Sequence, residues 1–127
     1  MPRTTSLFAA VLVPFAMTGG AFADTAPDGG KLVFNNACRT CHSNDAGDHR
    51  LGPSLHGVVG RKAGSIEGYA FSSAMKQSDI VWDEKNLDAF MKDPNAVVHG
   101  NAMKPFGGIA DAKQREQIIA YLKSISP

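Results

Sequence analysis

The stretch "NNACRTCHSN", residues 35–44, contains the only two cysteines of this 127-residue chain, Cys38 and Cys41, with His42 directly after the second. Such a group could hold a metal ion, act as a redox dithiol, or attach a larger cofactor. A structural disulfide explains it poorly, because closing so short a loop gains little stability from chain entropy. Each alternative requires particular residues elsewhere, so the rest of the chain decides between them.

The chain begins with the three parts of a secretory signal peptide. A basic start without acidic residues leads into the apolar run "LFAAVLVPFAM", and Ala21 and Ala23 form the small-x-small pattern of a cleavage site. The apolar run contains Pro14 and is shorter than the roughly 20 residues of a membrane-spanning helix. We therefore expect residues 1–23 to be a cleaved signal peptide and residues 24–127 to form one domain without a membrane span.

The charge of the exported part excludes one large class of function. Removing Arg3 from the 13 basic residues leaves 12, which balance the 12 acidic residues of the chain. A nucleic-acid-binding protein needs a basic surplus to gain from counterion release. We therefore expect no nucleic-acid partner.

Capping residues and apolar spacing predict two helices in the first three quarters of the chain. The first runs over residues 29–41, with Asp28 as its N-cap. The second follows Trp82, begins after the N-cap Asp83 and ends before Pro94.

A third main helix closes the chain. Asp111 followed by Gln114 resembles a capping box, and a stripe of large apolar residues follows. The stripe consists of Ile118, Ile119, Leu122 and Ile125. A shorter helix is predicted over residues 72–77.

Long glycine-rich segments separate these helices, and no segment alternates as a strand would. Loops of this length in a small domain need something to organise them, and so short a chain has little apolar core of its own. We therefore expect an all-α domain, with three main helices, short helices and long loops wrapped around an apolar group that the polypeptide does not supply.

Only one of the alternatives for the two cysteines agrees with the rest of the chain. A structural zinc site needs four ligands, and His49, His56 and His99 lack the paired spacing. A thioredoxin-type dithiol needs a βαβ context. Cys-x-x-Cys-His is the attachment signal for c-type haem, in which the two thiols form thioethers and the histidine binds the iron. The pattern predicts one haem c, bound covalently through the two cysteines, with His42 as an iron ligand.

A methionine is the expected second axial ligand, because a thioether favours Fe(II) and suits an electron carrier. Three methionines lie after the cysteines: Met75, Met91 and Met103. The first two fall on predicted helices, where packing is the simpler explanation. Met103 lies in the loop "HGNAMKPFGG", which could fold back over the haem, so Met103 is our predicted ligand.

Five stretches of sequence extend well beyond the haem signal: "GKLVFNNACRTCH", "GPSLHGVVGRKAG", "GYAFSSAM", "IVWDEKNLDAFMKDP" and "IIAYLKS". Through them the chain resembles the class I c-type cytochromes, close to mitochondrial cytochrome c and its bacterial periplasmic relatives. The resemblance implies the small cytochrome c fold and a periplasmic location. It also implies that Gly30 and Phe34 cross the last helix at Ile118 and Tyr121.

The resemblance also assigns roles around the haem. The carbonyl of Pro53 would accept a hydrogen bond from the second nitrogen of His42. Arg61, Tyr69 and Trp82 match positions that line the haem propionates. These three residues and Pro53 are therefore expected to contact the cofactor or its ligand.

The chain departs from its relatives around the methionine. Phe90 stands where many relatives have a tyrosine, and residues 99–102 read His-Gly-Asn-Ala where mitochondrial members have Pro-Gly-Thr-Lys. The stretch "MKPF" has one residue more than the usual Met-x-Phe.

The resemblance implies a monomeric one-electron carrier that is not an enzyme. Its partners would be redox proteins: a membrane oxidase, a cytochrome bc complex, a reaction centre or a periplasmic dehydrogenase. The alternative is a haem enzyme or gas sensor with a labile Met103, motivated by the missing tyrosine hydroxyl at Phe90. A further hypothesis is that His99 or Lys104 replaces Met103 at raised pH.

Overall fold

The computed structural model describes residues 27–127, and the predicted signal peptide lies outside them. The described residues form five helices: α1 (Pro27–Ala37), α2 (Ser73–Gln77), α3 (Glu84–Lys92), α4 (Pro94–Val97) and α5 (Ala112–Ser124). The described part of the chain contains no strand beyond an isolated antiparallel bridge between Lys62 and Val81. The prediction of an all-α domain with long loops is confirmed.

The first and last helices cross at a glycine. A Cβ on Gly30 would overlap the carbonyl oxygen of Gln117 and would lie 2.9 Å from Cβ of Tyr121. One turn further along α1, the ring of Phe34 packs against the ring of Tyr121, with 5.1 Å between centroids. Phe34 and Ile118 are both 0% exposed. Burying each such side chain contributes roughly 2 kcal/mol, so this crossing is a main source of stability.

Two of the helices begin after their predicted capping residues, and a third begins after a serine cap that was not predicted. The Asp83 carboxylate accepts a hydrogen bond of 2.7 Å from the Asn86 backbone N–H at the start of α3. Asp111 caps α5 in the same way, and the Ser72 hydroxyl caps α2. These contacts satisfy N–H groups that have no partner inside a helix.

The bounds predicted for the first helix were wrong at both ends. Asp28 lies inside the first turn of α1 and does not precede it, and the helix ends at Ala37, before the cysteines. From Cys38 onward the chain continues as turns, in which the His42 backbone N–H donates to the Cys38 carbonyl at 2.9 Å. The predicted stop at Pro94 is also the start of the short helix α4, because proline is well suited to a first helical turn.

A buried arginine on α5 joins the last loop to α5 and to α3. Arg115 on α5 donates to the Asp88 carboxylate of α3 at 2.7 Å, and to the carbonyls of Ile109 and Ala110 at 2.8 and 2.9 Å. Its guanidinium is thereby satisfied although the side chain is buried. The loop before α5 is therefore anchored at its C-terminal end.

No helix among residues 27–127 combines the length and the apolar character needed to cross a bilayer.

The crossing at Gly30 leads to a first prediction. Ala normally favours a helix over Gly by roughly 0.5–1 kcal/mol, but a methyl group here would overlap the backbone of α5. We therefore expect Gly30→Ala to lower the free energy of unfolding by about 2 kcal/mol, measured by guanidinium unfolding followed by circular dichroism. Gly107→Ala is the control, because its Cβ would meet no atom within 4 Å. A stabilised Gly30→Ala protein would contradict the close approach of the two helices.

Candidate cofactor site

A cavity of about 350 Å³ lies between the helices and the long loops. Most of its wall is apolar, built from side chains of α3, α5 and the loops, such as Leu87, Phe90, Ile118 and Leu122. The buried core is therefore arranged as a shell around this space. The cavity is also lined by all eight residues that the sequence analysis assigned to a haem site, namely Cys38, Cys41, His42, Pro53, Arg61, Tyr69, Trp82 and Met103.

His42 is held in one orientation at the cavity wall. The side chain is 6% exposed, and its Nδ1 lies 2.7 Å from the carbonyl oxygen of Pro53. Because a carbonyl only accepts, Nδ1 carries the proton and Nε2 keeps its lone pair. The expected hydrogen bond to Pro53 is present, and it leaves Nε2 available for a metal ion.

Gly52 lies so close to the His42 ring that a larger residue would displace the ring. A Cβ on Gly52 would overlap Cε1 of the His42 ring and would lie 2.7 Å from its Nδ1. The glycine backbone therefore covers one face of the imidazole. Gly52 was not among the residues predicted for the site, although its place directly before Pro53 was a signal for it.

The environment also favours the neutral imidazole. Burial lowers the pKa of His42, the hydrogen bond to Pro53 opposes this, and the nearby charge of Arg61 lowers the pKa further. Only the neutral ring has a lone pair to offer a metal ion.

The two cysteines lie on the turn that follows α1. The Cys38 backbone N–H bonds the Phe34 carbonyl at 2.8 Å, and the Cys41 N–H bonds the Cys38 carbonyl at 3.1 Å, so the turn is anchored to the helix. Burial, and secondly the neighbouring Cys41, raise the pKa of the Cys38 thiol to about 11. The two residues are not joined in a disulfide.

A metal site built from protein ligands alone finds no support in residues 27–127. In this part of the chain, no three His, Cys, Asp or Glu side chains are grouped as metal ligands would be. The structure therefore gives no basis for a zinc site at the cysteines.

All three candidate methionines reach the cavity wall. Met91 lies on α3 and is 7% exposed within the core, and Met75 packs against the core from α2. Met103 comes from the loop between α4 and α5, and its backbone N–H donates to the Asn101 side-chain oxygen at 2.9 Å. Met103 therefore differs from the other two in lying on a loop whose backbone is held by a side chain.

The three residues expected at the propionates differ in how their polar atoms are used. Arg61 donates to the carbonyls of Ser54 and His56 at 3.1 and 3.2 Å, and burial lowers its pKa. The Tyr69 hydroxyl already donates to the Leu51 carbonyl at 2.6 Å.

Trp82 is the third of these residues, and its polar atom is the indole N–H. Its side chain is buried at the cavity wall, where its ring packs against Phe90 with centroids 4.9 Å apart. No acceptor within residues 27–127 takes a hydrogen bond from its indole N–H. Of the three residues, Trp82 therefore has a free donor at the cavity, whereas the Tyr69 proton is already donated.

Several known proteins that are similar to this chain are cytochromes of the c type. A family model for cytochrome c matches residues 27–126. Cytochrome c of Euglena viridis is 42% identical over 96 residues, which cover 76% of this chain and 93% of the relative. Cytochrome c2 iso-2 of Magnetospirillum fulvum is 44% identical over 88 residues, covering 69% of this chain and 91% of the relative. The structure of cytochrome cH from Methylobacterium extorquens is 43% identical with a TM-score of 0.70, and the match covers 80% of this chain and 99% of that chain.

The residues at the cavity fit a covalently bound haem. They supply two thiols on one turn, an imidazole with a free Nε2, a cationic guanidinium, and apolar walls for a flat macrocycle. This donor set and the helical fold define a c-type cytochrome. The chain belongs to the cytochrome c family. It carries one haem c through Cys38 and Cys41, and it is a mono-haem electron carrier.

The contact between Gly52 and His42 leads to a second prediction. The structure gives Gly52 no left-handed backbone angle, so the effect of Gly52→Ala is the steric overlap with the imidazole. The ring must turn away from Pro53, and we expect the haem-loaded protein to lose about 2 kcal/mol of unfolding free energy. Guanidinium unfolding followed by Trp82 fluorescence measures this loss. If Gly52→Ala matched Gly107→Ala to within about 0.5 kcal/mol, the ring would not be locked as described.

Proposed function

We propose that this protein is a periplasmic one-electron carrier whose haem iron is bound by His42 and Met103. The observation that carries the proposal is that one apolar cavity is lined by both cysteines, by His42 with its Nδ1 bound to Pro53, and by Met103. These groups come from opposite halves of the chain, and membership of the cytochrome c family explains why they meet.

The chain's part in the chemistry is to hold ligands and exclude water. When bound, haem c supplies an iron that takes up and releases one electron between Fe(III) and Fe(II). His42 offers Nε2 while its Nδ1–H stays on the Pro53 carbonyl, so the ring orientation does not depend on the charge of the site. Met103 is an uncharged, soft ligand that favours Fe(II). With His42 and Met103 both bound, no substrate would reach the iron, and we therefore assign electron transfer and no catalytic role.

Arg61 and Trp82 are the proposed partners of the haem propionates. Trp82 lines the cavity, its indole N–H has no acceptor among the described residues, and a carboxylate would satisfy it. Arg61 brings the only cationic side chain among the eight predicted site residues. Tyr69 is the weaker candidate, because its hydroxyl proton is already donated to Leu51.

Location and partners follow from the sequence and the family together. The signal-peptide pattern of residues 1–23 supports export, and cytochromes of Magnetospirillum and Methylobacterium are among the relatives. We propose that a membrane oxidase, a cytochrome bc complex, a reaction centre or a periplasmic dehydrogenase exchanges electrons with the protein, which acts as a monomer.

The ligand assignment is tested by three matched substitutions: Met75→Leu, Met91→Leu and Met103→Leu. Leucine has nearly the volume of methionine, so each change should cost less than about 1.5 kcal/mol in packing. We expect Met103→Leu alone to abolish the weak far-red absorption band of the oxidised protein, which reports a bond between a methionine sulfur and Fe(III). Loss of the band in Met75→Leu or Met91→Leu, with retention in Met103→Leu, would move the ligand to that residue.

The rival function is a haem enzyme or gas sensor in which Met103 leaves the iron readily. The observation in its favour is Phe90, a cavity-wall residue with no hydroxyl to bond the sulfur. Carbon monoxide separates the two functions, since it binds ferrous haem only at a free axial position. We expect the native reduced protein to show no change in its spectrum within minutes under carbon monoxide. Rapid conversion would favour the sensor or enzyme.

A further inference from the structure

Asn101 is a buried polar residue close to the proposed ligand, and the family resemblance assigns it no role. It lies two residues before Met103 and is 4% exposed. The mitochondrial members that the chain resembles have a threonine at this position of the loop, which has no amide. A buried amide is costly unless its donors and acceptor are all used.

The hydrogen bonds of Asn101 determine which way its amide points. Nδ2 donates to the Val98 carbonyl at 2.9 Å and to the Asn95 side-chain oxygen at 3.2 Å. Oδ1 accepts from the Met103 backbone N–H at 2.9 Å. Because Val98 presents a carbonyl and Met103 an N–H, exchanging the two amide atoms would place like groups together. The amide therefore links the end of α4 to the backbone of Met103.

The α4 end of this link is rigid. Val98 is buried, and its N–H bonds the Pro94 carbonyl at 2.9 Å. The Asp93 carboxylate caps α4 through the backbone N–H groups of Asn95 and Ala96, at 3.1 and 3.2 Å. The Asn101 amide is thus bonded to a short helix that is capped by Asp93 at its start and followed by the buried Val98.

The loop is held again on the far side of Met103. The Ile109 N–H donates to the Met91 carbonyl at 2.8 Å, which ties the loop to the end of α3. Gly108 has a φ of 108°, and a Cβ there would overlap the Lys92 carbonyl oxygen, so the close approach requires glycine. Met103 therefore lies on a segment attached at both ends, and Asn101 is the attachment nearest to it.

We propose that Asn101 is the positioning residue for Met103: through its amide it fixes the Met103 backbone to α4 and thereby keeps the thioether on the iron. This rests on the proposed ligation by Met103. Phe90 cannot hold the sulfur by a hydrogen bond, so restraint of the ligand comes from the backbone. Asn101 does not touch the haem, and its effect is to make displacement of Met103 by another ligand less favourable.

The test measures how readily imidazole displaces Met103 from the oxidised protein. Imidazole binds only when Met103 has left the iron, so its dissociation constant reports how firmly the loop holds the ligand. Asn101→Asp has nearly the same shape but presents an oxygen to the Val98 carbonyl in place of an N–H. We expect its imidazole dissociation constant to fall by about tenfold or more, with a weaker far-red band.

Two further variants keep the result interpretable. Asn86→Asp is the matched control, because Asn86 Nδ2 also donates to a backbone carbonyl, that of Val81 at 2.8 Å, but Asn86 has no hydrogen bond to the Met103 loop. It gains the same charge and should bind imidazole as the parent does. Asn101→Ser retains a hydroxyl that can accept from the Met103 N–H, and should fall between the parent and Asn101→Asp. If Asn101→Asp does not fold, the imidazole dissociation constant of Asn101→Ser tests the proposal instead.

The outcomes separate this proposal from the proposed function. If the parent and both Asn101 variants bound imidazole within about twofold of each other, while Met103→Leu lost the far-red band, only the role of Asn101 would be overturned. An equal change in Asn86→Asp would likewise overturn it, because the effect would then follow charge or general stability. If Met103→Leu kept the band, the ligation would be wrong, and the role of Asn101 would be wrong with it.

Discussion

The rest of the structure depends on the close approach of α1 and α5 at Gly30. With no Cβ, this residue lets the two helix backbones touch, and Phe34 then packs on Tyr121. The Tyr121 hydroxyl accepts a hydrogen bond of 2.7 Å from Asn44, just beyond the cysteine turn. The crossing thus holds the segment that carries both thiols and His42 against the last helix, and the loops are arranged from there.

Around this crossing the core encloses a space and does not fill it. Residues that would form a continuous apolar core in a chain of this size instead line a cavity of about 350 Å³. A small domain buries only a modest part of its surface, so a covalently bound apolar cofactor supplies contacts that the chain lacks. The polar residues at the wall are already oriented: His42 bonds Pro53, and Arg61 bonds two loop carbonyls. Hydrogen bonds within the chain therefore fix the orientation of these residues, although the loops that carry them have little regular structure.

The sequence predicted helix starts correctly where a start depends only on hydrogen bonds between neighbouring residues. The caps of α3 and α5 depend on one side chain and the N–H groups two or three residues later, and both Asp83 and Asp111 were predicted. The boundary of α1 was not, because Asp28 was assigned as a cap although the helix begins at Pro27. The short helix α4 was also missed, since Pro94 was treated only as a stop. Both misses concern residues that can either precede a helix or occupy its first turn.

The sequence by itself determined the covalent chemistry of this protein, because two thiols and an imidazole on one turn are adjacent in any fold that forms that turn. It also determined the all-α class, through caps and apolar spacing. Only the tertiary structure decided that Gly52 covers the His42 ring and that Asn101 bonds the Met103 backbone to α4. The physical reason is that a steric overlap or a buried hydrogen bond depends on where several segments meet, and residue spacing alone does not contain that distance.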